Sequence, residues 1–225
     1  MHIFGLLRIA GEQAKPFLQG QLTCNMDDIT SDTPQLAAHC NPQGRVISLF
    51  YLFLRDDHYF LQMPREMIPI AMKALQKYAV FFKVTLTDVS DQNNIEKNFI
   101  ADNIKKNIPM IYPDTSEKFL PHDLNLPALG AVSFSKGCYT GQEIIARMHY
   151  RGKLKNQLYR AKVNTASQPV RGADIYLKGE TCGQLVDFFE INNAQYEVLV
   201  IARPDDVKTG SITLDSEKKY GLTFL

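Results

Sequence analysis

Apolar residues along this chain change period several times, and each change predicts an element. Ile3 to Ile9 reads as an extended strand. Gly11 to Leu18 reads as a short helix that Pro16 begins or interrupts. Leu36 to Cys40 and Val46 to Leu54 are two strands joined by Asn41-Pro42-Gln43-Gly44, a strong turn signal. Asp56-Asp57-His58 turns the chain again, and Tyr59 to Met63 returns as a third strand. Ile68, Met72, Leu75 and Ala79 then recur at helical spacing, with Pro69 tolerable only in the first turn of that helix. Val84 to Asp88 is another strand. This order predicts an open α+β sheet with helices on one face.

Residues 89 to 98 are polar and turn-rich and read as a connector. Pro109, Pro113, Pro121 and Pro127 mark an irregular path after it. From Leu158 the pattern becomes short strands at regular spacing: 158–163, 173–177, 183–189, 196–202, 212–214 and 221–224. Such a series predicts a small barrel or sandwich. Two domains follow, residues 1–155 and 156–225.

Bulk properties narrow the function classes. The chain has 225 residues, an ordinary apolar share of 45% and a formal net charge of +1. A nearly neutral molecule is not a polyanion binder as a whole, so any nucleic-acid contact needs a local patch. Cys24, Cys40, Cys138 and Cys182 are widely spaced, without a C-x-x-C pair. Cysteines alone therefore predict neither zinc nor an iron–sulfur cluster, no metal ligand is assigned, and a reducing compartment fits better than a disulfide scaffold. The first residues read as a strand rather than a signal peptide, and no run approaches membrane-spanning length.

The densest chemistry lies in Lys136-Gly137-Cys138-Tyr139-Thr140-Gly141-Gln142-Glu143. Gly137 and Gly141 flank the thiol, which points to a sharp turn or a close backbone approach. An ammonium at Lys136 would favour a thiolate at Cys138 if the two side chains converge. A helix beginning near Thr140 to Gln142 would place the thiol at its positive end. The plain alternative is a helix start with a small buried cysteine. After it come Arg147, His149, Arg151, Lys153, Lys155, Arg160 and Lys162. These basic residues are either an anion site or a solvated helix end whose cations suit the dipole.

Lys-Gly-Cys-Tyr-x-Gly-Gln-Glu resembles the signature of the YgfZ-type folate-binding proteins, in the superfamily of the glycine-cleavage T-protein (aminomethyltransferase). Phe17-Leu18-Gln19-Gly20-Gln21-Leu22-Thr23, Ala37 to Val46, Lys77 to Val84 and Ala128 to Phe134 resemble further blocks of that family, in family order. The resemblance implies a T-protein-like α+β architecture: an N-terminal mixed α/β, ferredoxin-like region and a C-terminal small antiparallel β-barrel. Longer members carry several tens of additional residues near 89–98, which this chain lacks. The resemblance implies tetrahydrofolate or a related folate as cofactor, with Phe4 and Phe99 where the family stacks the pterin on aromatic rings. The alternative is that both are core residues. Cys138 would be the functional thiol, tuned by Lys136, with Tyr139, Gln142, Glu143 and Arg147 completing the pocket. The implied role is an accessory protein in the cytoplasm that supports maturation or repair of iron–sulfur enzymes such as a tRNA methylthiotransferase, with weak tRNA contact in addition. Two other readings stay open: a folate-dependent one-carbon transferase, and a protein- or tRNA-binding module without folate. Ser48 and Leu49 stand where the T-protein has an acidic pair, and neither can act as a general base, which disfavours the transferase.

Overall fold

The first sheet combines runs of buried residues with stretches where buried and half-exposed positions alternate. The computed structural model describes residues 4–31, 33–92, 98–152 and 154–225. They form two units: residues 1–95, 110–121 and 126–152, and residues 96–109, 122–125 and 153–225. The chain therefore crosses between the units more than once.

The first unit contains β1 (Phe4–Ala10), α1 (Ala14–Gln21), β2 (Gln35–Cys40), β3 (Val46–Arg55), β4 (His58–Pro64), α2 (Ile68–Ala79) and β5 (Thr85–Asp88). The five strands form one antiparallel sheet in the order β2-β3-β4-β1-β5. Leu52 pairs with Leu61, and Leu61 with Leu7, so these fully buried side chains share a face. α2 lies across β1, β3 and β5. Its inner positions are Ile68, Ala71 and Leu75. Met72 and Ala79, expected on that stripe, are half-buried because the 3.6-residue period turns Ala71 inward instead. Pro69 sits in the first turn, where its missing N–H leaves no intrahelical bond unmade. On the opposite face Tyr51, Phe53, Phe60 and Gln62 stay half-exposed. The connector after β5 begins as a single tight turn, Ser90–Gln92, whose Ser90 hydroxyl accepts the Leu6 N–H at 3.1 Å. The rest of that connector, residues 93–97, lies outside the described residues.

The second unit contains α3 (Asn98–Lys105), β6 (Gln157–Asn164), β7 (Asp174–Leu177), β8 (Glu180–Asn192), β9 (Gln195–Ala202), α5 (Pro204–Lys208), β10 (Ile212–Thr213) and β11 (Thr223–Phe224). Its six strands run in the order β10-β7-β8-β9-β6-β11. Two bonds, Leu214 N–H to Tyr220 O and Leu222 N–H to Ile212 O (both 2.9 Å), tie β10 to the residues leading into β11. Ile175, Leu185, Val198 and Val200 centre its apolar core. α3 packs on β8 and β9, where a connector and an irregular path were expected. Its Ala101 and Ile104 are buried. The remaining helix, α4 (Gln142–Arg151), belongs to the first unit.

Candidate functional site

The last turn of a helix leaves carbonyls without intrahelical donors, and here a distant lysine supplies them. The Lys136 ammonium donates to Gln19 O, Leu22 O and Cys24 O, each at 2.7 Å. These three carbonyls lie in the last turn of α1, at its C-cap and just beyond it. α1 has no basic residue in its own last turn, so Lys136 also supplies the cation that suits the negative end of the dipole. Lys136 is only 8% exposed, and its ammonium sits 4.9 Å from the Tyr139 ring centroid. Burial pulls its pKa down to about 8, with Cys24 acting weakly the other way. Neighbouring bonds complete the anchor. Ser133 N–H donates to Thr23 O at 2.8 Å, the Thr23 hydroxyl donates to Ala131 O at 2.6 Å, and Thr140 N–H donates to Gly20 O at 3.2 Å. The Gln19–Thr23 block and the thiol loop are thus one piece of structure.

This placement corrects the expectation that Lys136 tunes Cys138. The ammonium faces the carbonyls at the end of α1, because three acceptors, two of them buried, compete for it more strongly than one thiol two residues away. The glycines divide in the same way. Gly141 has φ +83°, and a Cβ there would lie 2.6 Å from Asn41 O and 3.0 Å from Gly44 Cα. Gly44 has φ +75° and meets Ile144 of α4. The Asn41–Gly44 turn therefore packs directly on the start of α4 at a distance only glycines allow. Gly137 has neither a left-handed φ nor any protein neighbour within 4 Å of an added Cβ, so packing within the described residues does not require a glycine there.

Cys138 is exposed in this clamped loop, while Cys24, Cys40 and Cys182 are buried. Burial raises the thiol pKa of Cys24 to about 11 and that of Cys40 further still. α4 begins at Gln142, three residues after Tyr139, and Tyr139 O accepts its N–H at 3.1 Å. Glu143 and Arg147 are exposed on α4. Tyr139 is buried, and its hydroxyl has no partner among the described residues. Phe4 is 2% exposed, so the chain's own packing already covers the ring expected to stack a pterin. The core reading accounts for Phe4. Phe99 is half-buried on α3 of the second unit. Ser48 is fully buried, its hydroxyl without a partner among the described residues, and Leu49 is buried beside it.

Two features were not read from the sequence. Phe53 and Phe60 stack at 5.5 Å under the Arg55 guanidinium, beside a hollow of about 440 Å³ that Phe53, Arg55 and Gln62 help to line. Their same-face pairing across β3 and β4 was available in the alternation of those strands. At the end of α4, Phe134 stacks on His149 (3.8 Å), and Tyr150 meets both rings edge-on. Among the described residues, no helix is long and apolar enough to cross a membrane.

No protein-family model matches the chain. An uncharacterised protein of Haemophilus influenzae is 31% identical over 217 residues, which cover 79% of this chain and 77% of that protein. The tRNA-modifying protein YgfZ of Klebsiella pneumoniae is 27% identical over 273 residues, covering 90% of this chain and 84% of the relative. The YgfZ protein of Escherichia coli is 28% identical over the same span. That span exceeds the 225 residues of this chain, so these relatives carry insertions that it lacks. Among solved structures, the glycine cleavage system aminomethyltransferase T from Bartonella henselae superposes with a TM-score of 0.71 at 10% identity, covering 99% of this chain and 82% of that one. The chain therefore belongs to the YgfZ family, on the fold of the glycine-cleavage T-protein.

Proposed function

We propose that this chain is a folate-binding accessory protein of the cytoplasm that supports the maturation or repair of iron–sulfur enzymes and, through them, tRNA modification. A tRNA methylthiotransferase is the proposed client. The observation that carries this reading is the exposed Cys138 thiol on a loop pinned at both ends, by Lys136 on one side and by Gly141 on the other. Such a loop presents sulfur while the backbone stays in place. As a thiolate, Cys138 can attack a disulfide or ligate iron.

Tetrahydrofolate or a derivative is the proposed cofactor. When bound, it would supply a reduced pterin able to carry one-carbon units. A pterin needs an aromatic face with hydrogen-bonding groups beside it. The Phe53–Phe60 stack, with Gln62 and Arg55 at its edge, fits that need better than the covered Phe4. Gln142, Glu143 and Arg147 are kept as polar contacts near the thiol. The finer architecture belongs to the same reading. The order β3-β4-β1-β5, with α1 and α2 as crossovers, supports reading a ferredoxin-like unit with β2 as an added edge, and the bonds between β10 and the β11 approach support reading a closed small barrel.

The test is genetic. In a strain lacking the gene, wild type restores methylthiolated tRNA nucleosides and Cys138→Ala does not. Full rescue by the alanine variant overturns the thiol assignment. Calorimetry with tetrahydrofolate addresses the cofactor separately, and absence of heat at millimolar ligand would leave a binding module without folate. Methylene-tetrahydrofolate formation in steady-state kinetics would instead establish the transferase.

A further inference from the structure

The C-terminal half of α4 carries side chains that the β3–β4 hollow does not use, and of these only Arg147 is shared with the polar contacts proposed near the thiol. Arg147 and Arg151 are one helical turn apart and both exposed. Two like charges at that spacing weaken a helix slightly. Among the described residues, neither guanidinium takes part in an ion pair. The dipole explains a cation in the last turn, which accounts for Arg151 better than for Arg147. It does not explain the rings beside them. His149 is stacked on Phe134, and Tyr150 stands edge-on to both with 68% of its surface exposed. Between the two arginines, Ile144 and Met148 form the apolar floor of a hollow of about 260 Å³.

We propose that this end of α4 is an RNA-docking platform: an unpaired base stacks on Tyr150, and the phosphates on either side pair with Arg147 and Arg151. Guanidiniums bind phosphate in a planar fork, and an exposed ring beside them offers a stacking face that every base can use. That pairing of charge and aromatic surface fits single-stranded or loop RNA. RNA duplexes hide their bases and offer mainly backbone and 2′-hydroxyls. A net charge of +1 makes the local cation pair a feature of this surface rather than of the whole molecule.

The inference rests on the tRNA branch of the function proposed above, but its readout needs neither folate nor Cys138. Failure here leaves the thiol and cofactor tests standing, and their failure leaves this one intact. The probe is a short, unstructured, fluorescein-labelled RNA oligonucleotide added to the full chain, with anisotropy measured across a salt series. Wild type binds with micromolar affinity at low salt. Arg147→Ala with Arg151→Ala lowers the salt slope by about 1.4, two phosphates' worth for a single strand. Tyr150→Ala weakens binding by about tenfold, whereas Tyr150→Phe binds like wild type because the stacking face remains. Lysine at both arginine positions retains the salt slope, which guards against a folding artefact. No binding at low salt overturns the proposal, as does binding that these substitutions leave unchanged.

Discussion

Replacing Lys136 by methionine keeps the side-chain volume and removes all three donors to Gln19 O, Leu22 O and Cys24 O. A buried acceptor left without a partner costs about 1–3 kcal/mol, so Leu22 O and Cys24 O together cost at least about 2 kcal/mol, and the part-buried Gln19 O adds less. Against this, methionine avoids taking an ammonium out of water, a penalty of several kcal/mol. The expected net loss is about 2–4 kcal/mol, or a fall in Tm of about 5–15 °C for a chain of this size. Denaturant unfolding measures the first and scanning calorimetry the second. The damage should also be local. Cys24, 1% exposed in the wild type, should become open to alkylation as the loop above the end of α1 loosens, whereas Cys182 in the second unit should stay protected. A pH series adds a sign. The folded lysine releases its proton near pH 8 and the unfolded one near 10.5. Over that window the unfolded chain holds the extra proton, so the wild type gains stability relative to Lys136→Met as pH rises. A variant within 0.5 kcal/mol of wild type, with Cys24 still protected, would refute the anchor.

Three further outcomes are expected. His39 is buried and held neutral, its pKa pulled down to about 4 by burial and, less strongly, by the Lys77 charge. The unfolded chain takes up a proton that the folded one refuses, so about 3 kcal/mol of stability is lost as pH falls from 6.5 to 4. Urea unfolding should show that loss shrinking in His39→Leu, and an unchanged acid dependence would rule His39 out as its source. Gly141→Ala should cost about 1–3 kcal/mol in denaturant unfolding, because its left-handed backbone and the Asn41 carbonyl leave no room for Cβ, whereas Gly137→Ala should lie within about 0.5 kcal/mol of wild type. Equal costs at the two glycines would contradict the packing described. Iodoacetamide should label Cys138 well before Cys24, Cys40 and Cys182, and Lys136→Met should change the Cys138 rate by less than about threefold. A tenfold drop would reinstate the ammonium as the thiol's partner.

The first sheet and α2 were legible because apolar runs bounded by turns and the helical period are local signals, and β1 to β4 are long enough to show such a run. α3 was not, because its buried face is two residues, Ala101 and Ile104, beside a buried polar Asn103. α5 is a single proline-led turn, too short for a period to develop. At the site, the thiol loop and the helix after it could be located from the glycines and the apolar run. The direction of the Lys136 side chain could not. It is set by carbonyls more than 110 residues earlier in the chain. The same holds for Gly141, whose neighbour is a turn one hundred residues upstream. Contacts of that separation leave no periodic trace, so a motif can be recognised while the work of each residue in it stays hidden.

Placing Lys136 on α1 also changes what labelling of Cys138 can mean. With the other three thiols buried, Cys138 reacts first whether or not anything activates it. Labelling order alone therefore no longer separates a functional thiol from an ordinary exposed one. The discriminating comparison is between variants that leave Cys138 exposed and alter what surrounds it. With the ammonium turned away, the remaining feature beside the thiol is the N-terminus of α4, whose position Gly141 and Gly44 set by their contact. A labelling rate that changes in Gly141→Ala but not in Lys136→Met would assign the motif's parts: the lysine holds the loop, the glycine aims the helix, and the cysteine is what both present.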